Sequence, residues 1–125
     1  MAEKENSAEK ELTLLVLMHA VFAMFTGALL IYALVSPGDF AFMIEWQLGQ
    51  PGRAIPPVYI TSLLGYLGVL TVINPLTAYL LKSRKSALVA VIASVCNLFS
   101  VVGIPISLTT LVTLRKPGVK ALFLS

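Results

Sequence analysis

The side chains with reactive or strongly polar chemistry are few, and the most conspicuous of them lie in apolar surroundings. His19 is the only histidine, and it sits inside a charge-free run, Leu12–Val35, where an ionisable residue is a functional candidate by default. An imidazole there could ligate haem iron or relay protons. A metal or haem centre wants a second ligand, however, and the chain offers only weak options such as Met18, Met24 or Cys96. A neutral imidazole hydrogen-bonded between helices or near the headgroups is the favoured reading, so no cofactor and no metal are assigned. Asn74 and Asn97 are the other prominent polar groups, and each can bond a neighbouring helix where hydrocarbon supplies no water. Such a bond is worth on the order of 1 kcal/mol and fixes register more than it holds a fold together. Cys96 is single, which excludes an intrachain disulfide and a thiolate metal cluster. There is no Ser-His-Asp set, no carboxylate pair, no metal-ligand spacing and no phosphate loop, so no catalytic residue is assigned and an enzyme is not expected.

The elements that must position these groups follow from composition. Hydrophobic residues make up 58% of the chain and charged residues 12%, against roughly 45–50% and 25% in soluble domains. The stretches Leu12–Val35, Val58–Leu81 and Ser86–Leu114 contain no Asp, Glu, Lys or Arg, and each exceeds the ~18 apolar residues that argue for a membrane span. The expected fold class is all-α, a polytopic transmembrane helical protein. The net charge of +3 comes from single or paired basic residues beside these runs, so topology rather than nucleic-acid binding accounts for it. Residues 1–11 mix four Glu with two Lys, and the run that follows is longer than the ~7–15 apolar residues of a signal peptide. The expectation is a cytoplasmic charged tail over 1–11 and a single transmembrane domain over 12–125, the first span being a retained anchor.

As a helix, 12–35 measures about 36 Å, enough to cross a ~30 Å hydrocarbon core with some tilt. Ser36, Pro37, Gly38 and Asp39 end it. Residues 40–50 combine Phe40, Phe42, Met43, Ile44 and Leu48 with Asp39 and Glu45 nearby, which predicts a short interfacial helix anchored by Trp46. Pro51, Gly52, Arg53, Pro56 and Pro57 form a linker. The second span, 58–81, contains Pro75, where a kink is expected. Lys82, Ser83, Arg84 and Lys85 make a connection short enough to require antiparallel neighbours.

The third region, 86–114, would measure about 43 Å as one helix, too long without strong tilt. Gly103 and Pro105 are the expected interruption, giving segments at 86–102 and 104–115. Charge supports a tight or re-entrant hairpin, turning near Val101 to Pro105, over a kinked single helix. Lys82, Arg84 and Lys85 on one side of the region and Arg115, Lys116 and Lys120 on the other predict that both ends are cytoplasmic, with the N-terminus also inside. Small residues at close spacing form candidate contact stripes: Ala23 and Gly27; Thr61, Gly65 and Gly68; Ala90, Ala93 and Asn97; Gly103 and Ser107. Asn74, Asn97, Gly65, Gly68, Gly103 and Ser107 are therefore the expected helix-packing or partner-contact residues.

The run Asn97–Phe123, NLFSVVGIPISLTTLVTLRKPGVKALF, resembles the C-terminal signature of an uncharacterised family of small multi-span bacterial and archaeal membrane proteins. The resemblance is carried by Gly103, Thr110, Leu111, Leu114, Pro117, Val119 and Phe123, with Ser107 in place of a glycine and with Ala78–Lys82 similar to the entry to the family's basic connection. Val101, Thr109 and Val112 depart from its proline, tyrosine and tryptophan. It covers the last third to half of the chain and implies a multi-span helical fold in a bacterial or archaeal inner membrane, with no assigned activity.

Together these features predict a non-catalytic integral membrane subunit, in contact with the lipid bilayer and other membrane protein subunits, that packs against, stabilises or helps assemble a larger complex. The alternative is a homo-oligomeric channel, transporter or holin-like permeabiliser with Asn74, Asn97, Thr109 and Thr110 lining a polar path. Sensing or signalling is a third reading.

Overall fold

Heptad spacing of the buried positions organises the molecule. The computed structural model describes residues 2–49 and 56–123, with side chains from Asn6 onward. Helix α1 is Ala2–Val35 and helix α3 is Pro57–Lys82. On α1 the buried residues are Ala8, Leu12, Leu15, His19, Phe22, Thr26 and Ala33; on α3 they are Leu67, Leu70, Asn74, Thr77, Ala78 and Leu81. Intervals alternating between three and four residues place one seam on each helix, the pattern by which two helices pack side chains into each other's grooves. Among the described residues these are the two helices long and apolar enough to cross a membrane. Helix α1 takes in residues 2–11 of the charged tail together with the first apolar run.

Local chemistry sets the ends. Pro37 disfavours helical geometry at the residue before it, and Ser36 accordingly leaves the helix with φ −131° and ψ 67°. Pro37 then opens helix α2, Pro37–Gln47, at a position where a missing N–H costs nothing. Phe40 and Ile44 of α2 bury against Ala33 and Leu67. At the other end, α3 closes with paired backbone bonds, Arg84 N–H to the Leu81 carbonyl and Lys85 N–H to the Leu80 carbonyl. This termination needs a left-handed residue, and Arg84 takes it with φ 57°. Pro75 lies inside α3, where it cannot donate to the carbonyl of Thr71 one turn before it.

The third hydrophobic region is a hairpin. Helix α4 spans Leu88–Asn97 and helix α5 spans Gly103–Arg115. Two of the sequence expectations are corrected here. The segment expected at 86–102 is helical only as far as Asn97, and the turn expected near Val101 to Pro105 lies at 98–102, overlapping that expectation at Val101 and Val102 while Gly103 and Pro105 already belong to α5. Gly103 is the first residue of α5 and Pro105 the third, within the first turn where N–H groups have no helical acceptor. Gly103 is demanded by proximity: a Cβ there would lie 2.2 Å from the Asn97 carbonyl oxygen. With 10 and 13 residues, α4 and α5 measure about 15 and 20 Å, short of a ~30 Å crossing.

The hairpin lies against α3 through α4 and against α1 through α5, and helix α6, Pro117–Leu122, returns to the first turns of α1. Ala8, Leu12, Leu15, Leu81, Ala90, Leu114, Val119 and Leu122 form one apolar cluster. Ion pairs tie the same end, Arg84 to Glu9 at 3.0 Å and Lys116 to Glu11 at 2.8 Å. The first turns of α1, the 82–87 connection and the C-terminal helix therefore share one end of the molecule, while α2 occupies the other. The Pro51–Arg53 part of the predicted linker lies outside the described residues.

Candidate functional site: a buried polar layer

Between the two apolar clusters the helices meet in a layer of polar side chains. His19 contributes from the seam of α1, Asn74 from the seam of α3, Asn97 from the last residue of α4 and Thr110 from the middle of α5. All four have no exposed surface. The heptad seams place His19 opposite Asn74, and the hairpin brings Asn97 to Asn74 and Thr110 to His19.

The hydrogen bonds fix orientation and proton position. Asn74 Nδ2 donates to the Leu70 carbonyl at 3.0 Å and to Asn97 Oδ1 at 3.1 Å. A backbone carbonyl only accepts, so the Asn74 amide has one orientation, with Oδ1 facing the other way. That oxygen accepts from Asn97 Nδ2 at 3.0 Å and lies 2.8 Å from His19 Nδ1. Nδ1 must therefore carry a hydrogen. His19 Nε2 lies 3.1 Å from Thr110 Oγ1, which is also 2.7 Å from the Ile106 carbonyl. A neutral ring accepts the Thr110 hydroxyl proton at Nε2. A protonated ring donates from Nε2 to Thr110 Oγ1, whose own proton then turns to Ile106. One arrangement of heavy atoms thus satisfies both protonation states.

Supporting groups are bonded as well. Ser107 Oγ donates to the Ser94 carbonyl at 2.7 Å, and Ser94 Oγ donates to the Ala90 carbonyl at 2.8 Å, which knits α4 to α5. Thr77 Oγ1 donates to the Ile73 carbonyl at 2.7 Å, and Tyr66 Oη to the Cys96 carbonyl at 2.7 Å. Among the described residues no buried side-chain nitrogen or oxygen is left without a partner.

The chemistry available here is hydrogen bonding and, at Nε2, proton acceptance. Among the described residues no carboxylate or cationic side chain is shown bonded to the layer, and both ring nitrogens of His19 face side-chain partners, Asn74 and Thr110. Among the described residues no three His, Cys, Asp or Glu side chains gather as metal ligands.

Of the residues singled out in the sequence, Asn74, Asn97 and His19 meet in the layer, and Gly103 and Ser107 lie at the α4–α5 contact. Ala90 and Ala93 are fully buried beside them. Gly65 and Gly68 do not join: a Cβ at either would have nothing within 4 Å. Gly27 faces Thr71, with a Cβ contact of 3.6 Å. Trp46 is exposed and packs edge-on against Phe42. Thr110, named in the sequence as a pore-lining candidate and among the residues of the resemblance but not as a partner of His19, is the second partner of that ring; the heptad register of polar residues was the signal that could have found it. No family model, curated protein or solved structure matches the chain.

Proposed function

We propose that the chain is a non-catalytic integral membrane subunit in which α1 and α3 cross the bilayer, α4 and α5 enter and leave it from one side, and the outer surface packs against partner subunits. The observation that carries this reading is the direction in which the apolar residues face. Only 22% of the most apolar stretch of α1 and 28% of that of α3 is buried within the chain, whereas a core helix of a soluble protein would be mostly covered. Large apolar side chains such as Met24, Val35, Val58, Phe99 and Val101 point outward, and hydrocarbon is the solvent that accepts them.

Polar chemistry is directed inward. Asn74, Asn97 and Thr110 have no exposed surface to offer an ion or solute, which weighs against a channel formed by these residues in a homo-oligomer. The bare backbone at Gly65 and Gly68 is a place where another transmembrane helix can approach closely. The end bearing Lys82, Arg84, Lys85, Arg115, Lys116 and Lys120 is the cytoplasmic one by the positive-inside rule, which places both termini in the cytoplasm. The resemblance of Asn97–Phe123 to small multi-span membrane proteins of bacteria and archaea fits this placement.

The test is the mass and composition of the intact assembly purified in mild detergent. Stoichiometric unrelated subunits are expected. A homo-oligomer that conducts ions in liposomes would overturn the proposal.

A further inference from the structure

A groove of about 310 Å³ opens between the first apolar turns of α1 and the last turn of α3. Below the rim it is lined by Leu12, buried, Val16, half-buried, and Leu17, exposed, with Thr13, whose hydroxyl is spent on the Glu9 carbonyl, between them; the rim is charged, with Lys82, Arg84 and Glu9. Arg84 and Glu9 neutralise each other at 3.0 Å. Lys82 has no carboxylate partner among the described residues, so the rim keeps a surplus positive charge. The Lys85 amine adds a second cation at the same end, 5.6 Å above the Tyr79 ring.

We infer that this groove is a binding site for one anionic phospholipid, with the phosphate at Lys82 and an acyl chain along Val16 and Leu17. The inference rests on the membrane placement of α1 and α3 but not on the existence of any partner subunit. Its basis is the change of wall chemistry with depth. From Leu12 to Leu17 the groove descends about 8 Å along α1, and over that distance a cationic rim gives way to a mainly apolar lining. A free anion would use only the rim, and an apolar helix would leave Lys82 desolvated without a counter-charge. A phospholipid with a net negative headgroup satisfies both parts at once. The left-handed backbone at Arg84 holds the rim in place, because the chain turns sharply there and the Arg84–Glu9 bridge ties the turn to α1.

The experiment is lipid competition on the full-length chain in a neutral detergent. The chain is incubated with equal amounts of phosphatidylglycerol and phosphatidylcholine bearing identical acyl chains, and the retained lipids are counted by native mass spectrometry. A preference for phosphatidylglycerol is expected. Lys82→Gln should cut it about five-fold, the value of one lysine near an anionic surface, while Lys82→Arg keeps it and Lys120→Gln, on α6, leaves it unchanged. Millimolar inorganic phosphate should not displace the lipid. Equal retention of the two lipids, equal losses in Lys82→Gln and Lys120→Gln, or displacement by phosphate would each overturn the site. A chain that stays dispersed in buffer without detergent would instead overturn the membrane placement, so the two failures are distinguishable.

Discussion

Asn74 and Asn97 exchange both of their amide hydrogen bonds, the Nδ2 of each donating to the Oδ1 of the other at 3.1 and 3.0 Å. The pair joins α3 to α4 across the short basic turn, and the Asn74 oxygen also accepts from His19, so a single amide connects three helices. Asn74→Leu should leave the His19 N–H and the Asn97 amide unpaired and cost about 1–3 kcal/mol. Once Asn74 is gone, Asn97→Leu removes a group already unsatisfied. The double variant should therefore lose less than the sum of the singles, as measured by denaturant unfolding in micelles. Strict additivity would show that the two amides do not act as a unit.

The proton on His19 is assigned to Nδ1 by the orientation of the Asn74 amide. Imidazole ¹⁵N shifts of the chain labelled at histidine should show a protonated Nδ1 and a bare Nε2 at alkaline pH. The opposite tautomer would require the Asn74 amide to be flipped, with its nitrogen facing His19.

Gly103 and Gly118 should respond differently to alanine. At Gly103 the new Cβ would meet the Asn97 carbonyl at 2.2 Å, and the hairpin backbone must move. A loss of about 3 kcal/mol or more is expected. At Gly118 the Cβ would make an ordinary 3.5 Å contact with Ala8, so the change should be neutral or gain up to about 1 kcal/mol from helix propensity. Thermal unfolding of the two variants in the same detergent compares them directly.

The shared end of α1 and α6 can be tested by cross-linking. The 3.5 Å between the Ala8 Cβ and the Cβ position at Gly118 falls in the range of a disulfide. Ala8→Cys combined with Gly118→Cys, in a Cys96→Ser background, should cross-link under mild oxidation. A single kinked helix over 86–114 would place the two cysteines on opposite sides of a membrane and give no cross-link.

The Glu9–Arg84 and Glu11–Lys116 bridges are partly exposed, and such pairs are worth about 0–1 kcal/mol each. Glu9→Gln or Glu11→Gln should lower stability by less than about 1 kcal/mol, and the loss should shrink as salt is raised. A large, salt-independent loss would assign these carboxylates a role beyond ion pairing.

The long helices and the broken third region were legible because charge-free runs and their lengths are strong signals. The location of the break was less so. Gly103 and Pro105 looked like helix breakers, yet Pro105 needs no N–H in a first turn, and Gly103 serves the close approach to Asn97. The packing seams were hard to read for a different reason. Helix α1 is apolar nearly all round from Leu12 to Val35, so hydrophobicity does not distinguish its inner face from its outer one. Only the polar residues on the seam, His19 and Thr26, mark it. Small-residue spacing drew attention to Gly65 and Gly68, which lie on an open face of α3, because spacing identifies a surface suited to close approach without naming the neighbour. The polar layer required partners 55 and 91 residues from His19 in sequence, a pairing that no local pattern encodes.

The division of the layer among its helices makes the two nitrogens of His19 depend on different contacts. Within the α1–α3 pair Asn74 supplies the partner of His19 Nδ1, whereas the partner of Nε2, Thr110, comes only with α5. A chain whose hairpin has not docked is therefore chemically distinct from the finished one, marked by an imidazole nitrogen that lacks its Thr110 partner.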